Sequence, residues 1–511
     1  AAAVQLVKIV GVDRARAAQG SQWALSADVL VARLGQERGL LGADLLGNRA
    51  LVARAQGRYD ESIALQGRAL ALREALLGPT HPVVAMTLNH LANAARDRGD
   101  FAAALAALRR ALAIRKEALG PDHPAVGGTL NNLGLLELAR GNYAAAQGYL
   151  EQGLAIVEVA SGPSGLETAT LLGNLGRAHH LRGDYEAAQA LLERALAIRE
   201  VRLGPQDLDV AASLQNLALL HLVRGERVRA RALFERVLAI RERRLEESNP
   251  EVVAALDNLG TANYRLGALD AAESLHARAL AQQRAQRGPK HVSVAHSLRN
   301  LAQVHLARGE SQQALALAEE ARTIGEAALG PEHPDVAVFL NTLGAAQRSS
   351  DRAAAEASLS RALAISRRTR GDHHPGTALS LQRLGEVLTD RGAYSEAQAR
   401  LEQALAIRSE IAANGPEVAD VLFDLGALEL ARGRVEAAVP RFTRAVEIRE
   451  VGEAAGHELA EARFGLARAL RRTGERTRSR RLAEQASAGY AAAGAGFEDR
   501  RAAVDAWLSA E

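Results

Sequence analysis

The chain lacks several residue types on which chemistry commonly depends. It has no cysteine in 511 residues, which excludes disulfides, thiolate metal sites and thiol nucleophiles. Lysine occurs only at Lys8, Lys116 and Lys290. None of the three is followed by serine or threonine, as a phosphate-binding Gly-Lys-Ser/Thr loop requires. The composition therefore argues against thiol catalysis and against a nucleotide-binding loop of this kind.

Long apolar runs and a charge excess are also missing. No uninterrupted apolar stretch reaches the roughly 18 residues that span a bilayer, so we expect no membrane span. Lys and Arg number 63 against 60 Asp and Glu, a formal net charge of +3. A charge this small on a chain of this size gives no reason to expect a nucleic-acid partner. The chain begins at Ala1 without an initiator Met or a clear signal-peptide cleavage pattern. We therefore expect a piece of a longer, cytoplasmic protein.

What the sequence does contain is a repeat of 42 residues. A motif Leu-x-x-Leu-Gly/Ala recurs at this spacing and then continues at 41-residue steps. Its leading leucines are Leu46, Leu88, Leu130, Leu172, Leu214, Leu256, Leu298, Leu340, Leu381 and Leu422, with a degraded copy around Arg463. A fixed period of this length is typical of stacked supersecondary units.

Each copy reads as two helices joined by a glycine turn. Eleven residues after the leading leucine stands a glycine, which accepts the left-handed backbone that ends a helix. These are Gly57, Gly99, Gly141, Gly183, Gly225, Gly267, Gly309, Gly392, Gly433 and Gly474. The copy that starts at Leu340 has Ser350 and Asp351 there instead, which predicts a local distortion. Linkers such as Leu-Gly-Pro-Asp-His-Pro, residues 119–124, stop one helix with glycine and start the next with proline.

Such hairpins cannot bury their apolar faces alone, so neighbouring units must cover them. We predict an all-α fold, a right-handed superhelical solenoid of about eleven to twelve helix-turn-helix repeats with a concave inner groove. The predicted organisation is a degenerate hairpin over 1–35, tandem repeats over 36–492 and a C-terminal capping helix over 493–511.

The unit Leu-Asn-Asn-Leu-Gly (130–134), followed by Gly-Asn-Tyr (141–143), resembles the tetratricopeptide repeat of kinesin light chains. Three further segments, Val-Ala-Arg-Leu-Gly (31–35), Gln-Gly-Arg-Tyr-Asp-Glu-Ser (56–62) and Ala-Val-Asp-Ala-Trp-Leu (503–508), resemble the C-terminal sensor arrays of large bacterial serine/threonine protein kinases. This second resemblance implies a kinase domain upstream of Ala1.

A series of asparagines marks the candidate binding surface. It occupies the second position after the leading leucine, with His90 and Thr342 as interruptions: Asn48, Asn132, Asn174, Asn216, Asn258 and Asn300. In peptide-binding tetratricopeptide proteins the matching asparagine faces the groove, and the resemblance implies the same here. A carboxamide both donates and accepts hydrogen bonds, as a peptide unit does. The alternative is that these asparagines only bond neighbouring helices.

Other residues predicted to line the groove would set the side-chain preference of the ligand. They are Arg177, His180, Gln215, Tyr264, Arg265, Arg299 and Gln303. Because this set is polar and mildly cationic, we predict a protein or peptide partner with some acidic residues. From Arg383 and Asp424 onward the asparagines are lost, so the predicted binding stretch covers the units from 130 to 310.

No catalytic, metal or cofactor site is predicted. The segment from His457 to Glu461 ends in Glu where a zinc-protease helix needs His, and it reads better as an acidic helix start. Four histidines that precede prolines are interpreted as residues that begin helices: His81, His123, His333 and His374. The seven arginines from Arg468 to Arg481 form a second candidate surface, for an acidic partner, an anionic lipid or nucleic acid, but a solvated face on a terminal repeat is the favoured interpretation.

The sequence therefore predicts a non-catalytic protein-interaction scaffold, the sensor or recruitment part of a bacterial signalling protein. Two alternatives remain open. The array could regulate an attached effector enzyme, a kinase or protease outside this chain, or it could be a structural scaffold that self-associates.

Overall fold

The computed structural model describes residues 1–13, 17–452 and 456–510. In these ranges the regular secondary structure is helical, which confirms the predicted all-α class. The chain divides into two compact units, unit 1 (Ala1–Asn216) and unit 2 (Leu217–Glu511).

In the described part of unit 1 the helices follow one another in chain order. They are α1 (Ala2–Lys8), which continues as a π-helical turn (Ile9–Asp13), α2 (Ala17–Arg33), α3 (Leu40–Ala55), α4 (Tyr59–Leu77), α5 (Pro82–Arg98), α6 (Phe101–Leu119), α7 (Pro124–Ala139), α8 (Tyr143–Ser161), α9 (Leu166–Arg182), α10 (Tyr185–Leu203) and α11 (Leu208–Val223). The division between the units falls inside α11.

Unit 2 continues the same alternation to the end of the described chain. Its helices are α12 (Arg227–Arg244), α13 (Pro250–Leu266), α14 (Leu269–Arg287), α15 (Val292–Arg308), α16 (Ser311–Leu329), α17 (Pro334–Gln347), α18 (Arg352–Arg370), α19 (Pro375–Arg391), α20 (Tyr394–Ile411), α21 (Pro416–Ala431), α22 (Val435–Val451), α23 (Gly456–Thr473), α24 (Arg476–Ala493), a 3-10 turn (Ala495–Phe497) and α25 (Glu498–Ser509).

Within each unit the helices pack as consecutive hairpins. The first helix of each repeat packs most extensively against the helix that follows it, as α7 does with α8 and α23 with α24. Successive hairpins then contact each other, so that each covers apolar side chains of its neighbour. The predicted helix-turn-helix repeat is confirmed.

The predicted glycine turns also take the expected conformation. From Gly57 to Gly474, the ten glycines that join the two helices of a repeat have φ between 76° and 92°. At Gly99 the backbone N–H bonds the carbonyl of Arg96, which closes the end of α5. A residue with a Cβ would be strained at this φ, and this explains the regular spacing of glycine in the sequence.

The repeat that lacks this glycine is altered locally, as predicted. Helix α17 ends at Gln347, and Asp351 begins the next helix. The Asp351 carboxylate accepts hydrogen bonds from the backbone N–H groups of Ala353 and Ala354 at 3.1 and 3.0 Å. An aspartate N-cap therefore replaces the usual turn.

The glycine of the Leu-x-x-Leu-Gly motif allows the two helices of a hairpin to approach closely. A Cβ at Gly134 would lie 2.5 Å from Leu150 Cγ, and one at Gly385 would lie 2.6 Å from Leu401 Cγ. Distances this short are far inside van der Waals contact. Glycine at this position is therefore required by packing.

The histidines that precede prolines cap helices, as the sequence suggested. The Nδ1 atom of His123 accepts a hydrogen bond from the N–H of Ala125 at 3.1 Å, and His374 does the same for Gly376 at 2.9 Å. His81 and His333 make equivalent bonds. Each imidazole thus satisfies one of the free N–H groups at a helix start, which confirms the interpretation of these residues.

Candidate peptide-binding surfaces

In unit 1 the predicted asparagines lie on the first helices of the repeats and bond one repeat to the next. Asn132 Nδ2 donates to Asn89 Oδ1 at 2.9 Å, and Asn174 Nδ2 donates to Asn131 Oδ1 at 2.8 Å. Asn48 Nδ2 donates to the carbonyl of Val4 at 2.8 Å. Bonds of this kind are what the alternative interpretation predicts, in which the asparagines only bond neighbouring helices.

The inter-repeat bonds do not exhaust these carboxamides. Each Nδ2 group has two N–H donors and each Oδ1 can accept, and within the described residues Asn132 and Asn174 use one donor apiece. Both side chains are half-buried, as is Asn216. We define the unit 1 stripe as residues 48, 90, 132, 174 and 216; Asn132 and Asn174 in it each make one inter-repeat bond and keep a second N–H donor.

His90, which the sequence presented as an interruption, has the polarity of the other members of the stripe at neutral pH. Burial lowers the pKa of its imidazole to about 4, and the positive charges of Arg73, Lys8 and Arg54 add to the effect. The side chain is therefore neutral and, like the carboxamide of asparagine, can both donate and accept hydrogen bonds, although it has one donor where asparagine has two. Because histidine can be charged or neutral, the sequence alone did not show that position 90 carries a neutral polar side chain like the asparagines.

The remaining predicted residues of unit 1 lie on the same helices as the stripe or near their ends. Arg177 is exposed, and Gln215 is half-buried. His180 packs edge-on against Tyr185 with ring centroids 6.1 Å apart. Burial, with a contribution from Arg177, lowers the pKa of His180. The stripe is therefore accompanied by an exposed guanidinium and by an imidazole whose pKa is lowered.

In unit 2 the predicted residues have more partners within the protein. Asn300 Nδ2 donates to Asp257 Oδ1 at 3.3 Å, and Arg299 Nη1 donates to Gln303 Oε1 at 3.3 Å. Asn258 is half-buried. The first helices of this unit thus carry charges as well as amides along the same face.

The C-terminal helices of unit 2 contact its first helices through ion pairs. Arg227 Nη1 lies 2.8 Å from Glu458 Oε2 and also donates to the carbonyl of Arg265 at 2.6 Å. Arg265 Nη1 in turn lies 3.5 Å from Glu417 Oε1. The Arg265–Glu417 pair joins residues that are 152 positions apart in the sequence, and the Arg227–Glu458 pair joins residues that are 231 apart. Helices α21 and α23 therefore contact α13 and α12.

An apolar contact reinforces these ion pairs. Phe497, 1% exposed, belongs to one buried cluster with Leu269, Ala272 and Val304. Tyr264, predicted to bind ligand, packs against the same cluster. We call these ion pairs and the Phe497 cluster the closure contacts of unit 2.

Unit 2 carries charged side chains between its first helices and α21. The side chains of Arg265 and Arg383 each remain 41% exposed and pair with Glu417 and Glu386. Burial and then the Glu386 carboxylate raise the pKa of Asp424 well above its usual range. Gln382 of α19 donates a hydrogen bond to Asp424 Oδ2 of α21 at 2.5 Å, so charges of both signs lie together on these neighbouring helices.

Several arginines near the C-terminus are engaged with other side chains or backbone of unit 2. Arg471 stacks over the Trp507 ring at 4.6 Å, and Arg472 donates to the carbonyl of Leu430 at 3.4 Å. Arg478 and Arg480 pair with glutamates on their own helix or its cap. These contacts favour a structural role for the cluster.

His457 stands in the first turn of α23 and stacks on Phe497 with centroids 4.3 Å apart. Burial lowers its pKa to about 3. Among the described residues no group of three or more His, Asp or Glu side chains is arranged to hold a metal ion. Likewise, no helix in the described ranges is long and apolar enough to cross a bilayer.

The described helices define an all-α protein of consecutive helix-turn-helix repeats. A profile of the tetratricopeptide repeat family matches seven overlapping or successive stretches of the chain: 43–117, 86–159, 125–200, 167–243, 251–327, 347–410 and 413–492. The chain therefore belongs to the tetratricopeptide repeat family. No curated protein sequence matches it significantly.

Solved structures similar to the chain include other repeat arrays. BtubC (BKLC) from P. vanneervenii is 25% identical over 45% of this chain and 92% of its own, with a TM-score of 0.39. A putative kinesin light chain from Podosopora anserina with nearly identical TPR-like repeats is 28% identical over 41% of this chain and 98% of its own, with a TM-score of 0.32. The apo form of the quorum sensor NprR from B. thuringiensis covers 70% of this chain and 99% of its own at 13% identity, with a TM-score of 0.51, a likeness of fold.

Proposed function

We propose that the chain is a non-catalytic scaffold that binds an extended segment of a protein partner along the unit 1 stripe. The observation that carries the proposal is the repeated amide at one position of successive first helices, with polar atoms left over after the inter-repeat bonds. Packed helices lie about 8–10 Å apart, and an extended chain advances about 3.3 Å per residue. The stripe would therefore meet the ligand backbone at about every third residue.

The same stripe favours a ligand with acidic residues. Arg177 is exposed beside Asn174, and a guanidinium forms paired hydrogen bonds with carboxylates. Backbone capture by the amides would supply general affinity, whereas Arg177 would supply a preference for Asp or Glu nearby. The partner's own function, and any role in bacterial signalling, would follow from which segment is captured.

The test must separate binding from the structural hydrogen bonds of the asparagines. Peptides are first selected on the wild-type chain from a displayed library, and their affinities for variants are then measured. We expect Asn132→Ala with Asn174→Ala to weaken binding at least tenfold, since two hydrogen bonds to the ligand are lost.

The matched control removes the other half of each inter-repeat bond. Asn89→Ala with Asn131→Ala deletes both acceptors and leaves the stripe itself intact, while Gln152→Ala deletes an exposed amide of α8. Equal loss of affinity in the two double variants would show that the asparagines act through structure, and the proposal would be abandoned.

A further inference from the structure

The interior arginines of unit 2 differ in the partners that they have. Arg348 pairs with Glu386 and Asp390 at 2.6 and 2.5 Å, and Arg383 lies 3.2 Å from Glu386. Arg265 reaches Glu417. Each of these cations has a carboxylate of the protein against it.

Arg299 is different, because its described hydrogen bonds go only to neutral amides. Nη1 donates to Gln303 Oε1 at 3.3 Å, and Nη2 donates to Asn300 Oδ1. Its Nε is shielded from solvent and has no partner in the described part of the protein. A guanidinium has five N–H donors, so this one is under-bonded as well as unpaired.

The nearest acids are committed elsewhere. Asp257 accepts hydrogen bonds from Ser297 and Gln283 at 3.2 and 3.3 Å and pairs with His276 at 2.9 Å. It acts on Arg299 only at longer range, as does Asp335. Burial accordingly lowers the pKa of Arg299, whereas Glu386 raises that of Arg383.

The surroundings of Arg299 are suited to an anion. Arg265 adds a second positive charge, and the phenol of Tyr264 is close enough to interact electrostatically with both arginines and with Arg383. The bond to Gln303 is long, so a charged acceptor can replace it at little cost. Arg299 is half-buried and its Nε is shielded from solvent; withdrawing a cation from water without a counter-ion is unfavourable, and a ligand carboxylate would supply one.

We propose that Arg299, with Arg265 and Tyr264, forms an anion-binding site in the interior of unit 2 that takes a carboxylate of an extended acidic peptide. The guanidinium fork matches a carboxylate with two parallel hydrogen bonds. Two members of the site also take part in the closure contacts, since Arg265 pairs with Glu417 and Tyr264 packs against the Phe497 cluster. This inference rests on the proposed binding function and assigns it a second, distinct site.

Three capped pentapeptides serve as probes for the source of the carboxylate. Acetyl-Ala-Ala-Asp-Ala-Ala-amide offers a side-chain carboxylate only, acetyl-penta-alanine with a free C-terminus offers a terminal one only, and acetyl-Ala-Ala-Asn-Ala-Ala-amide offers none. Binding to the full chain is measured by calorimetry at millimolar peptide. We expect one or both carboxylate peptides to bind at least tenfold more tightly than the Asn peptide, and the difference to disappear in Arg299→Gln.

Two controls keep the result interpretable. Arg287→Gln removes the same charge from an exposed position of α14 and should leave binding unchanged, and Arg299→Lys keeps the charge but loses the fork, so its affinity should be intermediate. Thermal unfolding without peptide supplies a second readout. Loss of an unpaired buried cation should keep or raise the unfolding midpoint of Arg299→Gln, whereas loss of a structural arginine would lower it.

The proposal fails if wild-type protein does not distinguish the carboxylate peptides from the Asn peptide. It fails equally if Arg299→Gln lowers the midpoint and leaves binding intact. Asn132→Ala with Asn174→Ala lies in unit 1 and should not change these affinities, so failure at Arg299 and failure of the unit 1 stripe are seen separately.

Discussion

The two units use the same repeat with different inner faces. In unit 1 the stripe carries amides and a neutral imidazole, with Asn132 and Asn174 bonded between repeats. In unit 2 the corresponding positions include Arg383 and Asp424, and charged side chains from distant helices meet there. The hairpin geometry is common to both, so the difference resides in a few side chains per repeat.

This difference indicates how a repeat protein divides its tasks. An inner face of neutral amides has no strong partners of its own and remains suited to an external peptide backbone. An inner face with both signs of charge finds partners within the chain, because Arg227 and Glu458 attract one another across the unit. Charged side chains of unit 2 thus make its closure contacts, whereas the unit 1 stripe carries no carboxylate, guanidinium or ammonium group.

Removal of Phe497 should have the largest effect on this contrast. The ring is fully buried against Leu269 and Val304, and truncation of a buried Phe to Ala costs about 3–5 kcal/mol. We expect Phe497→Ala to lower the unfolding midpoint of unit 2 and to expose α13 and α15 to protease, with unit 1 unchanged. Calorimetry together with limited proteolysis measures both effects.

Val159→Ala is the control for Phe497→Ala. This side chain is 89% exposed on α8, so its loss should change stability by less than about 0.5 kcal/mol. Destabilisation of unit 1 by Phe497→Ala, or an unchanged protease pattern in unit 2, would contradict the assignment of Phe497 to the closure.

The close approach of paired helices should be equally important in both units. A methyl group at Gly134 meets Leu150, and one at Gly385 meets Leu401. Overpacking of this kind costs about 1–3 kcal/mol, so Gly134→Ala and Gly385→Ala should destabilise their units by similar amounts in urea titrations.

Gly128 provides the matched control on the same helix as Gly134. A Cβ there would have no heavy atom within 4 Å, so Gly128→Ala should stabilise by about 0.5–1 kcal/mol through helix propensity. A loss at Gly128, or a gain at Gly134, would show that the hairpins are not packed as described. If Gly134→Ala and Gly385→Ala lowered the free energy of unfolding by different amounts, the two units would also differ in how tightly the helices of a hairpin pack.

The sequence predicted the hairpins because their determinants are local and periodic. Glycines with positive φ, His-Pro helix starts and Leu-x-x-Leu-Gly all act within one repeat, so each recurs at the repeat spacing. Even the altered copy at Ser350 and Asp351 was visible, since a break in a period is itself a local signal.

The sequence did not reveal the closure of unit 2. Arg227 and Glu458 are 231 residues apart, and no period links them. Their pairing depends on the small rotation between successive hairpins, summed over several repeats. The asparagines posed a different problem: residue type identified the polar stripe, but only coordinates show that Asn89 and Asn131 take up one donor of each.

The neutrality of the unit 1 stripe can be tested through His90. Because its folded pKa is about 4, whereas that of an unfolded histidine is about 6.5, the unfolded chain binds the proton first as the pH falls. This contribution to the free energy of unfolding is complete above pH 6.5 and decreases from there toward pH 4 by about 1.4 kcal/mol per pH unit. At about pH 5 the loss should approach about 2 kcal/mol.

His90→Asn removes the titrating group and places an amide at every position of the stripe. Urea titrations at about pH 7.5 and 5 should therefore show a smaller decrease in the free energy of unfolding for the variant than for wild type. His373→Asn, which changes a histidine 78% exposed in unit 2, controls for the loss of a histidine. A decrease in the His90 variant equal to that of wild type would mean that this imidazole is charged in the fold, and the contrast between a neutral and a charged inner face would then have to be redrawn.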